Sequence, residues 1–152
     1  MVKLLLTREL GRLAKWLRIL GFDAEYSREK NNAFLVIQAL REDRTILTRN
    51  HRLPAARGIR IVVLKEELIK KQLSEISKLR EIIPGAEEMF TRCTICNEAL
   101  VSIAKDKIKE KVPEYVFQTQ EKFSTCPKCR RLYWPGTHWK NVAEALKTIK
   151  GQ

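Results

Sequence analysis

The sequence predicts an α/β protein with a parallel sheet and helices on both faces, followed by a small cysteine-containing module. Three observations predict this fold. Short apolar runs alternate with amphipathic segments over residues 2–83, as in strand–helix–strand units. A Pro84-Gly85 break follows, and four cysteines in two pairs lie beyond it. We therefore expect two domains, residues 1–85 and residues 86–152, the second ending in a helix.

The first strand and helix are the most clearly marked elements. Residues 2–6 form an apolar run that predicts a buried strand, and Thr7 is a suitable N-cap for a helix over residues 8–20. The leucines of that helix recur on one face, and Gly21 is expected to end it in a left-handed conformation. Four basic residues are expected on the opposite, solvent-facing side: Arg8, Arg12, Lys15 and Arg18.

The remaining elements continue the alternation. In chain order they are a strand over 22–26, a helix over 33–41 capped by Asn31 or Asn32, a strand over 45–48, a helical turn over 49–57 ended by Gly58, a strand over 59–64 and a helix over 66–83. Ligands of parallel α/β sheets bind at the carboxyl ends of the strands. Those ends are basic and amide-rich here, with few carboxylates, which favours phosphate over a magnesium ion.

The chain carries a large positive charge. Thirty Lys and Arg oppose 18 Asp and Glu, for a formal net charge of +12. Such an excess is typical of polyanion binding, because phosphate neutralisation releases counterions. A solubility charge and adaptation to high temperature are the alternatives. No apolar run is long enough to span a bilayer or to form a signal peptide, so we expect a cytoplasmic protein without a membrane partner.

Two Cys-x-x-Cys pairs predict a structural zinc site. Cys93 and Cys96 form the first pair, and Cys126 and Cys129 form the second. Each pair can present two sulfurs to one ion, and four sulfurs leave no coordination position for a reacting water. Two disulfides are one alternative, which the absence of a secretory signal disfavours. A thioredoxin-like redox pair is another, which leaves two cysteines unexplained. Neither histidine is expected to be a ligand: His51 and His138.

The spelling and order of several segments resemble one known family. Residues 10–23 (LGRLAKWLRILGFD) are similar to the opening signature of the Mut-seven C-terminal RNase domain, and residues 46–49 (ILTR) are similar to its third-strand motif. Residues 90–97, 112–113 and 126–139 are similar to its zinc-ribbon tail. The resemblance covers nearly the whole chain. It implies a PIN-like three-layer α/β fold with a parallel sheet, followed by a C-terminal zinc ribbon.

The resemblance also reveals a departure from the family pattern. PIN-like nucleases hold Mg²⁺ or Mn²⁺ with clustered carboxylates for phosphodiester hydrolysis. The family pattern implies acids after the first strand, before the second helix and after the Leu-Thr-Arg motif. The corresponding residues here are Thr7, Asn31 with Asn32, and Asn50. Hydroxyl and amide groups do not supply the negative charge that a hard divalent cation needs.

Three functions follow as hypotheses. The first is an RNA-binding protein on a nuclease scaffold that has lost its metal-binding acids and has no catalytic residue, with ribosomal RNA as one candidate partner. The second is an active endoribonuclease that uses Mg²⁺ or Mn²⁺ and an unusual ligand set, for which Glu9 and Asp23 are the best remaining acids. The third is an adaptor that binds only protein, which leaves the positive charge unexplained.

Nine basic residues are the candidates for RNA contact: Arg8, Arg12, Lys15, Arg18, Arg49, Arg52, Lys128, Arg130 and Arg131. A solvated helix face is the alternative for the first four. Three aromatic residues either stack on unpaired bases or form the core of the small module: Tyr133, Trp134 and Trp139. The sequence makes no prediction of the oligomeric state.

Overall fold

A parallel four-stranded sheet is the centre of the first part of the chain. The computed structural model describes residues 2–79, 89–136, 140–144 and 147. The strands are β1 (Lys3–Leu6), β2 (Asp23–Tyr26), β3 (Arg44–Thr48) and β4 (Ile61–Val63). Their order is β2-β1-β3-β4, and all three pairings are parallel. The predicted α/β class with a parallel sheet is therefore confirmed.

The chain divides into two compact units, Met1–Asn97 and Glu98–Gln152. The boundary predicted at residue 85 lies outside the described residues and stays a prediction. In the first unit, Leu5 of β1 packs with Leu35 and Ala39, two buried residues of the second helix. Because crossovers between parallel strands are right-handed, the helices after β1 and after β2 lie on opposite faces of the sheet.

The helix predicted over residues 8–20 begins as a tighter turn. Arg8–Leu10 is a 3₁₀ turn, and α1 spans Gly11–Ile19. Thr7 has the extended backbone of an N-cap, but its hydroxyl makes no capping hydrogen bond. Gly21 is left-handed, with φ of 95°, and the N–H groups of this residue and the next return to carbonyls of the last turn. This is the Schellman arrangement, so the predicted role of Gly21 is confirmed.

The second helix, α2 (Asn32–Glu42), has the predicted cap. The side chain of Asn31 accepts the N–H of Ala33 at 2.9 Å. The helical turn predicted over residues 49–57 is wrong, because this stretch contains only hydrogen-bonded turns and irregular backbone. Asn50 follows β3, and its side chain accepts the backbone N–H of Arg52 at 2.9 Å, so the chain turns here instead of continuing the strand.

The third helix, α3 (Ile69–Ser77), starts later than predicted. Its own side chains hold the preceding residues in an extended conformation. The carboxylate of Glu75 accepts the N–H groups of Lys65 and Glu66, and the amide of Gln72 donates to the carbonyl of Glu66 at 2.9 Å. These tertiary hydrogen bonds compete with the helical ones, which explains the late start. The predicted end of the helix, at residue 83, lies outside the described residues.

The second unit contains a three-stranded antiparallel sheet. Its elements are β5 (Val101–Ile103), α4 (Glu114–Thr119), β6 (Phe123–Thr125) and β7 (Leu132–Tyr133), with the strands in the order β5-β6-β7. Residues 140–144 and 147 are helical, in agreement with the predicted C-terminal helix. The buried core is small: Ile108, Val112, Val116 and Phe123. Among the described residues, no helix combines the length and the apolar character that crossing a membrane requires.

Candidate metal centre and strand-end site

The four cysteines form one cluster. Their Sγ atoms all lie within 4.8 Å of one another, and none of the four forms a disulfide. Four sulfurs about 2.3 Å from a zinc ion would be about 3.8 Å apart, so the observed spacing fits a tetrahedral thiolate site. Within the described residues this is the single group of three or more Cys, His, Asp or Glu side chains placed to hold an ion. The predicted four-cysteine cluster is confirmed.

The two cysteine turns have the same geometry. In each turn the N–H of the second cysteine points to the Sγ of the first, at 3.4 Å in one turn and 3.5 Å in the other. The next residue is left-handed in both, Asn97 with φ of 65° and Arg130 with φ of 62°. Its N–H donates to the carbonyl of the first cysteine, at 3.0 and 2.8 Å respectively. Both turns therefore hold their two sulfurs in the same arrangement, as a shared tetrahedral ion requires.

Arg18 does not lie on the exposed face of α1, and that prediction is wrong. Its side chain is 7% exposed. Nε donates to the carbonyl of Ala24 at 2.8 Å, and Nη1 donates to the carbonyls of Thr94 and Ile95 at 2.9 and 3.1 Å. Burial lowers the pKa of Arg18, against the opposing effect of Glu25 and the neighbouring thiolates. Helical periodicity could not show that the first cysteine turn covers this position.

A second candidate site lies at the carboxyl ends of β1 and β3. The connection after β1 leads to β2, and the connection after β3 leads to β4 on the other side. The two connections therefore diverge between β1 and β3, which is the place where open α/β sheets bind ligands. Thr7 follows β1, and Thr48 is the last residue of β3; both hydroxyls donate to Oε1 of Glu9, at 2.6 and 3.1 Å. The backbone N–H of Arg49 donates to the same oxygen at 2.9 Å. The strand-end site is therefore one carboxylate surrounded by three donors.

Glu9 has a structural role that the sequence did not reveal. A carboxylate in a first helical turn usually interacts with the helix dipole, yet that of Glu9 joins the ends of β1 and β3. Burial raises the pKa of Glu9, but the hydrogen bonds from Thr7, Arg49 and Thr48 outweigh it, and the pKa lies below its ordinary value. The indication of this role in the sequence was Thr48, a polar residue at the end of an apolar strand, which the structure buries completely.

Substituting Glu9 with glutamine should change how stability depends on pH. A carboxyl whose pKa is lowered by folding contributes its full stability above its ordinary pKa of 4.5 and loses that contribution as pH falls through the lower folded value. The difference in free energy of unfolding between parent and Glu9→Gln should therefore be constant near neutral pH and shrink below about pH 5. Urea unfolding at several pH values measures it. Glu110→Gln, at an exposed position, is the control; an equal pH dependence in both variants would contradict the assignment.

Asp23 lies at the amino ends of the strands, away from the strand-end site. It opens β2, opposite Lys3 of β1, whereas Thr7 follows the last residue of β1. Its Oδ1 accepts Nη1 of Arg44 at 2.7 Å and Nδ2 of Asn97 at 2.8 Å. These hydrogen bonds, with burial opposing them, give Asp23 a lowered pKa. The structure therefore does not bring Asp23 and Glu9 into one site.

Most of the basic candidates in the first unit are exposed. Arg8, Arg12, Lys15 and Arg52 are exposed, whereas Arg49 is half-buried and its Nη2 lies 3.3 Å from a carboxylate oxygen of Glu67. A groove of about 460 Å³ lies beside Glu9 and is lined by three basic side chains: Arg12, Lys70 and Lys71. The two lysines were not among the predicted contacts. Their place in the first turn of an amphipathic helix was the only signal in the sequence.

The second unit presents the other basic candidates. Lys128, Arg130 and Arg131 are exposed on and after the second cysteine turn. Trp134 is half-buried against the core of the module, with its ring centroid 6.3 Å from that of Phe123. For Trp134 the structure therefore supports the core alternative over a stacking platform. Trp139 and His138 lie outside the described residues.

Comparison with known proteins identifies a family. The sequence model of the Mut7-C RNAse domain family matches residues 2–146. This range includes the sheet, the strand-end site and all four cysteines, and it confirms the resemblance drawn from the motifs. No curated protein and no solved structure matches the chain.

Proposed function

This chain belongs to the Mut7-C RNAse domain family, and from that membership we propose that it is an RNA-binding protein on a PIN-like nuclease scaffold. In this proposal its metal-dependent cleavage has been lost. The observation that carries the proposal is the strand-end site. Where the family pattern places acids, this chain has Thr7 and Asn50, and a single carboxylate, Glu9, lies beside them.

The hydrogen bonds of Glu9 argue against a catalytic cation. Its Oε1 already accepts three donors, so the carboxylate could offer a divalent cation at most its other oxygen without losing these hydrogen bonds. Mg²⁺ and Mn²⁺ sites for hydrolysis depend on several carboxylates that neutralise the ion. In the described part of the chain Glu9 belongs to no group of three or more side chains that could hold a metal ion. The hydroxyl of Thr7 and the amide of Asn50, which stand where the family pattern has acids, add no negative charge to hold such an ion.

The distribution of positive charge supports RNA as the partner. Exposed basic residues surround the strand-end site, among them Arg8, Arg12 and Arg52. In the second unit Arg130 occupies a left-handed position, which costs an arginine about 1–2 kcal/mol relative to a right-handed one. The cysteine turn requires this conformation, because the N–H of Arg130 closes the turn on the carbonyl of Cys126, and the turn presents the charged side chain to solvent. Ribosomal RNA is one candidate, in keeping with the expected cytoplasmic location.

The four-cysteine cluster holds a structural zinc ion in this proposal. Four thiolates complete the shell of a tetrahedral ion, so the metal supplies folding energy and no Lewis-acid chemistry. Its ligands are Cys93, Cys96, Cys126 and Cys129.

An active endoribonuclease is the second candidate. Glu9 favours it, because its carboxylate lies at the carboxyl ends of the strands, where the sheet would bind a substrate. Such an enzyme would need Mg²⁺ or Mn²⁺ and at least one further acid. Asp23, the other acid considered, lies at the amino ends of the strands, whereas Glu9 lies at their carboxyl ends.

Reversing the charge of Arg12 and Lys15 should weaken RNA binding. Both side chains are exposed on α1, and each phosphate contact with a single strand contributes about 0.7 to the slope of log affinity against log salt. We expect the Arg12→Glu, Lys15→Glu double variant to bind single-stranded RNA about 10- to 100-fold more weakly than the parent, with a slope reduced by up to about 1.4. Fluorescence anisotropy over a salt titration measures both quantities.

A matched variant separates a local effect from net charge. Lys109→Glu with Lys111→Glu changes the net charge equally, at exposed positions in the second unit. It should retain most of the affinity if the face of α1 contacts RNA. An equal loss in both double variants would show that only net charge matters. Unchanged binding by the α1 variant would show that its basic face is merely solvated.

A further inference from the structure

We infer that Arg18 and Asn97 anchor the first cysteine turn to the edge strand β2 and thereby couple metal binding to the folding of the α/β unit. Both residues belong to the unit that contains the sheet. The inference concerns the metal centre and is independent of RNA binding. It assigns to two buried polar residues a role in positioning the metal ligands.

The first step is the state of the sheet edge. Within the part of the chain that the structure describes, β2 is an edge strand, so one side of it has no neighbouring strand to satisfy its backbone groups. At Ala24 both groups are nevertheless satisfied by side chains. The N–H donates to Oδ1 of Asn97 at 3.0 Å, and the carbonyl accepts Nε of Arg18 at 2.8 Å. Two side chains thus replace the missing strand.

The second step is that Arg18 also holds the cysteine turn. Its Nη1 donates to the carbonyls of Thr94 and Ile95, the two residues between Cys93 and Cys96. One guanidinium therefore connects the backbone of β2 to the backbone of the turn that presents two metal ligands. Lysine carries its three N–H donors on one nitrogen and could not reach both sites, whereas arginine reaches them with two different nitrogens of its planar fork.

The third step is the position of Asn97, directly after Cys96. Its left-handed backbone lets its N–H close the turn on the carbonyl of Cys93 at 3.0 Å. Asparagine tolerates this conformation better than most residues do. Its Nδ2 donates to the carboxylates of Asp23 and Glu25, at 2.8 and 3.1 Å. The residue that closes the turn is therefore fixed to β2 on both sides of Ala24.

Charge adds to this geometry. Four thiolates around a divalent cation leave a net charge of −2, and a buried cation beside two of those thiolates offsets part of it. Arg18 is such a cation, and it lies next to Cys93 and Cys96. Because the anchored turn holds its two sulfurs in place before metal arrives, the metal stabilises the anchored form. By linkage, the free energy by which metal stabilises the anchored turn equals the free energy of metal binding that is lost when the anchor is removed.

Zinc affinity and unfolding free energy test the coupling. The variants are Arg18→Met, which removes charge and donors, Arg18→Lys, which keeps the charge but not the planar fork, and Arg41→Met, an exposed control on α2. Competition with a chromogenic chelator gives the zinc Kd, and urea unfolding with zinc or with chelator gives the stabilisation by metal. We expect zinc affinity to fall at least about tenfold in Arg18→Met, less in Arg18→Lys and not in Arg41→Met.

Two results would overturn the inference. One is a zinc Kd for Arg18→Met within twofold of the parent value. The other is a stability loss of equal size with zinc and with chelator, which would mean that Arg18 only packs against the sheet. If Arg18→Met does not fold, Asn97→Gly answers the same question, because glycine keeps the left-handed backbone and removes the side-chain bonds to β2. An unchanged zinc Kd in Asn97→Gly would likewise overturn the inference.

Discussion

Replacing Cys126 with serine is expected to unfold the second unit of the chain. The buried apolar core of that unit is small, and a module of this size usually needs a metal or a disulfide to be stable. Structural zinc in comparable sites contributes about 10–16 kcal/mol of apparent binding free energy, which also serves as folding free energy. We expect the variant to lose bound zinc, and amide chemical-shift dispersion in residues 98–136 to collapse. A chelator added to the parent should have the same effect.

The control for this change is Lys128→Ser in the same cysteine turn. Lys128 is exposed and is not a ligand, so its variant should keep the parent spectrum and zinc content. Elemental analysis of the parent should find about one zinc per chain, as a single four-sulfur site requires. An unchanged amide spectrum of Cys126→Ser, or parent protein without zinc, would show that the cysteines serve another purpose.

The parent protein is expected to leave RNA intact in the presence of Mn²⁺. Metal-assisted hydrolysis needs carboxylates that fix the ion and its attacking water, and the strand-end site contains one, whose oxygen is already hydrogen-bonded to three donors. We predict no cleavage above background on single-stranded and structured RNA, measured on denaturing gels. Thr7→Asp with Asn50→Asp restores acids where the family pattern has them and should increase Mn²⁺ binding to the strand-end site.

Two further variants make the catalytic test decisive. Glu9→Gln and Asp23→Asn remove the acids that a displaced active site would need. Neither should change the absence of cleavage. Robust cleavage by the parent that Glu9→Gln abolishes would establish an active nuclease with an unusual ligand set, and the binding-only proposal would be wrong.

The local features of the fold could be predicted because each depends on a few neighbouring residues. Apolar runs located β1, β3 and β4, Asn31 and Gly21 marked the ends of helices, and the Cys-x-x-Cys spacing identified the metal cluster. Caps and cysteine turns involve residues only two to five positions apart. Their physical requirements can therefore be read from the sequence itself.

The features that could not be predicted depend on contacts between distant residues. Arg18 has the helical phase of an exposed side chain, and only the cysteine turn more than 70 positions later buries it. Thr48 and Glu9 are 39 positions apart and meet because β1 and β3 are adjacent. The late start of α3 depends on Glu75, ten residues beyond the backbone N–H of Lys65 that it accepts. A periodic pattern contains no information on such pairings.

Binding of RNA without cleavage is the central proposal, and one reaction tests it directly. Labelled single-stranded RNA is incubated with the full chain and Mn²⁺ at low salt, and each sample is run on a native and on a denaturing gel. We predict slower migration on the native gel and full-length RNA on the denaturing gel. Shortened RNA on the denaturing gel, or unretarded RNA on the native gel, would contradict the proposal.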